Sequence, residues 1–295
     1  MRLIRQLLRR PTVVVGLAIV LIFTFVAVFA PLLEPYRVDR PSGAPYQPPS
    51  VAHWLGTDDA GVDMLSLVIA GTQNSMLVGF AAAIVAVLIG GTLGIIAGYK
   101  GSWGETTVTG VTDFFLVVPI LPLMIVLAAL FGQTIYHIVL VIGLLSWMSV
   151  CYVVRAQVHT LKERGFVARA RSLGAGDLYI IRCHILPHVA PLLVAQTVLT
   201  VATAVFFEAA LAFIGLGDPQ RISWGTVLQY GFQHSAVSTG AWWAIVPPGV
   251  CIAFVVLGCF LVGQGVEEAM NPRLGHAHVA PRSFRLRRTT PEDVA

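Results

Sequence analysis

Phe166-Val-Ala-Arg-Ala-Arg-Ser-Leu-Gly174-Ala-Gly-Asp-Leu-Tyr-Ile-Ile-Arg-Cys-His184-Ile-Leu-Pro187 is a polar stretch set between two long apolar runs. Residues 163–173 are good helix formers carrying arginines, and Gly174 and Gly176 interrupt them. A second short amphipathic run follows, which Pro187 is expected to stop before the next apolar run begins. The pattern predicts a helix–glycine–helix elbow pinned between two membrane spans. Such an elbow projects from the bilayer, and a force applied to it reaches both flanking helices.

Composition leads to the membrane class independently. The 295 residues are 56% hydrophobic and 12% charged, with a mean hydropathy of +0.79. Six apolar segments, about 12–33, 75–99, 112–131, 134–154, 192–214 and 241–263, are long enough to cross a hydrocarbon core as helices. Lipid offers the backbone no hydrogen-bond partner, so helices are expected rather than open sheet, and the fold class is an all-α membrane protein with six spans. Cys151, Cys251 and Cys259 lie in spans and Cys183 in the elbow, without metal or disulfide spacing. The first run, Thr12–Leu33, follows a basic start (Arg2, Arg5, Arg9, Arg10) but is too long for a signal peptide, so a retained span is expected.

Charge predicts the orientation. With the N-terminus inside, 16 of the 19 Lys and Arg fall on the inner side, and only Arg37, Arg40 and Arg221 lie outside. The positive-inside rule then places both termini and the elbow in the cytoplasm. The net charge of +4 is a topological signal and gives no reason to expect nucleic acid. The basic tail with Arg282, Arg285, Arg287 and Arg288 is expected near anionic lipid or disordered.

The outer loop, roughly 34–74, is Pro-rich and then reads His53-Trp-Leu-Gly-Thr-Asp-Asp-Ala-Gly-Val-Asp63-Met-Leu-Ser. Thr57 and Asp63 are expected as helix caps, with a short interfacial helix from Met64 feeding the second span. Asp58, Asp59 and Asp63 lack EF-hand spacing, so capping is the expected use of these carboxylates.

These residues resemble a known family. Ala170-Arg-Ser-Leu-Gly174 followed by His184-Ile-Leu-Pro187 resembles the "EAA" loop of binding-protein-dependent ABC importer permeases. In that family the loop docks into a cleft on the ATPase subunit. The resemblance carries ATPase coupling to Ala170, Arg171, Leu173, Gly174, Ala175, His184, Leu186 and Pro187. It departs at Ala168, where the family usually has glutamate, and at Arg169, where it usually has alanine. Leu55, Gly56, Thr57, Asp58, Gly61, Asp63, Leu65 and Ser66 match a signature of the C-type subunits of the dipeptide/oligopeptide/nickel group, with Val62 and Leu67 replacing two arginines. Asp113 with Pro119, Glu208–Gly217, Ser223-Trp224-Gly225, Trp242-Trp243 with Pro247 and Gly249, and Gly265 with Asn271-Pro272-Arg273-Leu274 extend the match. The resemblance implies a type I ABC permease bundle with a cytoplasmic coupling helix in a bacterial inner membrane. The implied organisation is residues 1–72 for the first span and outer loop, 73–272 for the permease domain and 273–295 for the tail. It implies as partners a second homologous permease, two ATP-binding subunits or domains and an extracytoplasmic solute-binding protein. Short peptides are the implied cargo, with nickel or another small solute as the alternative.

Within the spans, Gly90, Gly94 and Gly98 share one helix face, as close helix packing needs. Pro119, Pro122, Pro247 and Pro248 are expected to bend their spans, as fixed shape or as hinges. Gln196, Thr200 and Thr203 fall on one stripe and either line an aqueous path or bond neighbouring groups. Glu208, an acid inside a span, either braces the outer mouth or meets cargo. No G-x-x-x-x-G-K-[ST] loop is present, so ATP and Mg are expected on partner subunits and no cofactor on this chain. His184 and His188, four apart, have no third metal ligand nearby. A proton-coupled carrier would call for acid and histidine relays and similar inverted halves, which are not evident.

Overall fold

A computed structural model describes residues 10–270. The motif at Asn271–Leu274, the basic tail and Arg2, Arg5 and Arg9 lie outside these residues. Among the described residues the architecture is helical, without a strand. Helix α1 spans Pro11–Leu33, α2 Met64–Lys100, α3 Ser102–Val117, α4 Ile120–Phe131 and α5 Ile135–Lys162. After them come α6 (Gly165–Ser172), α7 (Asp177–Ile180), α8 (Leu186–Leu211), α9 (Trp224–Gln233) and α10 (Val246–Met270). Five stretches are long and apolar enough to cross a membrane: Pro11–Leu33, Met64–Lys100, Ile135–Lys162, Asp177–Leu216 and Trp242–Ala269. The pair Glu105–Val117 and Ile120–Phe131, bent by 91°, supplies a sixth if counted as one span.

That bend falls at Val118–Pro119, where both residues leave the helical region. The segment 112–131 is therefore two helices rather than one bowed span. Pro119 caps α4 and Pro122 sits in its first turn, where no intrahelical N–H is needed. The same reason corrects the last span. Pro247 and Pro248 occupy the first turn of α10 and do not bend it.

Two further expectations are revised by continuity. No separate interfacial helix precedes the second span, because α2 runs unbroken from Met64 to Lys100. Asp63 is its N-cap, accepting the Ser66 N–H at 2.9 Å, whereas Thr57 caps no helix. Pro187 does not stop the elbow's second run either. A π turn at Ile181–Ile185, in which the Leu186 N–H reaches the Ile181 carbonyl, joins α7 directly to α8. In that wider register the missing Pro187 N–H interrupts the ladder without ending the helix.

The bundle is organised around α2. Its glycines lie against the α5 backbone: a Cβ on Gly94 would come 2.8 Å from the Cys151 carbonyl, and one on Gly98 would come 2.7 Å from the Arg155 carbonyl. Gly90 meets the Trp147 carbonyl in the same way. The four-residue repeat on both helices brings their axes close over three turns and leaves no room for side chains. On the other side, α1 packs on α10 where Gly16 faces Gly258. Val13 and Ala30 of α1 are buried, while Leu21, Ile22, Val28 and Leu32 are exposed, as suits an outer helix.

Candidate functional site

The elbow is built by a helix C-cap. α6 ends with Leu173 as cap and Gly174 beyond it at φ +82°. The Ala175 N–H donates to the Ala170 carbonyl at 3.1 Å and the Gly174 N–H to the Arg171 carbonyl at 3.0 Å. This pair of bonds is the Schellman arrangement, with Gly174 at the left-handed position and Ala170 and Ala175 as its apolar pair. Nothing lies within 4 Å of a Cβ placed on Gly174, so the demand is on backbone conformation and not on space.

Below the turn, Val167, Ile180 and Ile185 are buried against Ile95, Val154, Val158 and Val189, which fixes the elbow to the ends of three spans. Above it, Leu173 is 88% exposed and Leu178 69%, with Tyr179 also open. Phe166, Arg169, Ala170, Leu173, Ala175, Tyr179 and His184 border a shallow groove. The Phe166 ring stacks on His188 at 5.1 Å, and Tyr179 meets His184 edge-on at 5.9 Å. His188 Nδ1 donates to the His184 carbonyl one turn earlier at 2.7 Å. Leu186 and Pro187 are exposed at the root of α8. The elbow thus brings together the residues that the family resemblance marks, with Leu173, Leu186 and Pro187 exposed and Arg171 turned toward Tyr99.

Two residues of this region are not evident from the sequence. Tyr99, at the end of α2, donates its hydroxyl to Asp177 Oδ1 at 2.9 Å and accepts from Arg171 Nη2 at 3.3 Å. The Arg171 guanidinium lies 5.8 Å from the centre of the Tyr99 ring. A tyrosine at the end of a span was the available signal.

Gln196, Thr200, Thr203 and Glu208 do not share one environment. Gln196 is buried and donates to Glu267 Oε1 at 3.0 Å. Glu267 went unnoticed in the sequence because α10 extends to Met270, beyond the apolar run. Thr200 is buried, and Thr203 is exposed and donates back to the Thr200 carbonyl at 3.0 Å. Glu208 is 3% exposed and accepts from Ser75 Oγ at 3.0 Å. Ser75 in turn accepts the Trp224 amide N–H at 3.2 Å, and Trp224 Nε1 donates to the Val68 carbonyl at 3.1 Å. α2, α8 and α9 therefore meet at Glu208.

The loop opposite the elbow is equally ordered. His53 Nδ1 lies 2.9 Å from Asp63 Oδ1, both buried, while Asp63 Oδ2 accepts from the Ser66 hydroxyl at 2.9 Å. Thr57 accepts the Gln47 N–H at 2.8 Å and donates to the Ala44 carbonyl at 2.7 Å, and its own carbonyl accepts from Trp243 Nε1 at 3.0 Å. Asp58 accepts the N–H groups of Ala60 and Val62 at 2.9 and 2.7 Å. Burial raises the Asp58 carboxyl above its ordinary value, against the lowering effect of these bonds. The carboxylates of this loop are thus engaged in turns, in a cap and, for Asp59, in a 2.9 Å contact with His234.

A bundle of apolar helices carrying a projecting, capped elbow defines a membrane permease of the ABC class, and comparison with known proteins agrees. The chain belongs to the family described as binding-protein-dependent transport system inner membrane component, whose model matches residues 90–276. A second model, the N-terminal TM domain of oligopeptide transport permease C, matches residues 2–49. The chain is similar to the dipeptide transport system permease protein DppC of Alkalihalophilus pseudofirmus, at 34% identity over 92% of this chain and 88% of that one. It is similar to the oligopeptide transport system permease protein OppC of Mycobacterium tuberculosis, at 34% identity over 91% and 93%. Among solved structures, the inward-facing MetNI methionine ABC transporter superposes with a TM-score of 0.53 at 19% identity, covering 70% of this chain and 97% of that chain. That likeness concerns the fold, a type I ABC permease.

Proposed function

We propose that the chain is one of two homologous permease subunits of an ATP-driven importer of short peptides, with its elbow docked on partner ATPases. The observation that carries the reading is the elbow itself: a Schellman turn that raises two exposed leucines above a buried base and runs without a break into α8. An exposed apolar pair on a rigid projection fits a partner surface. With Ala168 in place of glutamate, docking rests on the shape around Gly174 and on Leu173 and Leu178, so it depends weakly on salt.

In this reading residues 73–272 form the permease domain, and the elbow and both termini lie in the cytoplasm. ATP and Mg are held by the partner subunits, and a solute-binding protein delivers cargo to the face that carries His53 and Asp63. Closure of the ATPases moves the elbow and turns the paired bundle from inward- to outward-facing. Peptide as cargo is supported by the relatives, which are named dipeptide and oligopeptide permeases. The path is assigned to Thr200 and Thr203, and bracing to Gln196 and Glu208.

The test is purification of the chain with its neighbouring gene products and reconstitution in liposomes. ATP-dependent uptake of a labelled di- or oligopeptide, with stable ATPase co-purification across a salt series, is expected. Uptake of nickel but not peptide would overturn the cargo, and dissociation by moderate salt would overturn the apolar docking.

A further inference from the structure

Besides its buried apolar base, the elbow reaches the bundle by three routes, two of them along the chain. α6 follows α5 through Glu163 and Arg164, and α7 continues into α8. The third route is a side chain. Tyr99 is 3% exposed and stands inside the bend, with Arg171 before Gly174 and Asp177 after it. One hydroxyl therefore holds the two arms of the elbow together and ties both to α2.

This placement has mechanical content. α6 has eight residues, too few to hold an orientation by helix propensity alone, whereas the arm that carries Asp177 is continuous with α8. The Schellman bonds fix the turn locally and the apolar base holds the elbow to the span ends, but apolar contacts have no direction. The Tyr99 hydroxyl has direction, since it donates to one arm and accepts from the other. Tyr99 also follows Gly98, the residue that packs on the Arg155 carbonyl, and precedes the Gly101 turn (φ +65°) into α3. Arg155 in turn hydrogen-bonds Thr109 of α3 and lies 3.8 Å from Glu105. A displacement taken up by Tyr99 is thus handed to the α2–α5 pair and to α3 together.

We infer that Tyr99 is a positioning residue that couples movement of the elbow to α2, so that transport per ATP depends on its hydroxyl. The inference rests on the reading of the elbow as the ATPase dock. Removing the hydroxyl leaves Arg171 and Asp177 free to pair with each other across the turn, which keeps the elbow folded and removes its hydrogen-bonded tie to α2.

The experiment uses the full complex in liposomes with Tyr99→Phe, Asp177→Ala and the double variant, measuring ATP hydrolysis, peptide uptake and the thermal midpoint. Tyr99→Phe keeps the buried ring and should assemble. Expected are near-normal hydrolysis and thermal midpoint, with uptake per ATP reduced by roughly tenfold or more, the factor carried by one hydrogen bond to a charged group. The double variant should lose no more than Tyr99→Phe alone, because that variant already removes the bond to Asp177. Unchanged uptake per ATP in Tyr99→Phe, losses that multiply in the double variant, or hydrolysis, uptake and midpoint falling together would overturn the inference. Hydrolysis without uptake in the wild-type complex would instead overturn the transport reading beneath it.

Discussion

Ser75 and Glu208, 133 positions apart in sequence, share a buried hydrogen bond of 3.0 Å between α2 and α8. Because Ser75 also accepts the Trp224 N–H, the hydroxyl is spent twice and the carboxylate completes a three-helix junction. An acid inside a span is tolerated where protein supplies its partners.

Glu208→Gln retains an acceptor for Ser75 and should assemble and transport. Glu208→Leu strands the Ser75 hydroxyl in an apolar wall, at a cost of roughly 1–3 kcal/mol. It should lower complex yield and abolish uptake. Equal, near-normal uptake in the two variants would remove Glu208 from the functional residues.

Gly174 is needed for its positive φ, so the size of a substituent matters less than its backbone preference. Gly174→Asn, which tolerates the left-handed region, should keep much of the uptake. Gly174→Leu, strained by roughly 1–2 kcal/mol, should stay in the membrane and lose uptake. Normal transport by Gly174→Leu would reduce the elbow to a linker.

Gly94 is a different case, because the demand there is on space. A Cβ would lie 2.8 Å from the Cys151 carbonyl and 2.9 Å from Val154 Cβ, both on a rigid helix. Gly94→Ala should lower the thermal midpoint of the complex, and Gly94→Leu should lower it further, by an overpacking cost of roughly 1–3 kcal/mol. A Gly94→Leu complex with an unchanged midpoint would show that α2 and α5 are not in close contact.

The distribution of Lys and Arg predicts the topology. A reporter fused after Arg164 should read as cytoplasmic, and one inserted near Pro45 as extracytoplasmic. The reverse pair would overturn the orientation and, with it, the coupling role of the elbow.

Much of this could be read in the sequence because the signals are local. Ala170-Arg-Ser-Leu-Gly174 spells a helix ending in a left-handed glycine, and Asp63 three residues before Ser66 spells an N-cap. The glycine repeat of α2 announces a close neighbour, although not that α5 is the one. Proline was the misleading signal. It marks a position where an N–H is missing, and only the surrounding geometry shows whether that N–H was needed. At Pro119 the chain turns through 91°, at Pro187 a π turn absorbs the loss, and at Pro247 a helix is merely starting. The polar pairings were out of reach for another reason. Tyr99 lies 72 residues from Arg171 and 78 from Asp177, and no spacing rule joins such partners.

The stretch Asp177–Leu211 joins helical segments of 4, 5 and 26 residues, 35 in all, without an intervening loop, about 52 Å at 1.5 Å per residue. Its two ends are therefore locked in rotational phase. Adding a single residue midway, near Ala202, would turn Glu208 by about 100° relative to Asp177 and take it away from Ser75. In this rod the residue count is itself a functional dimension.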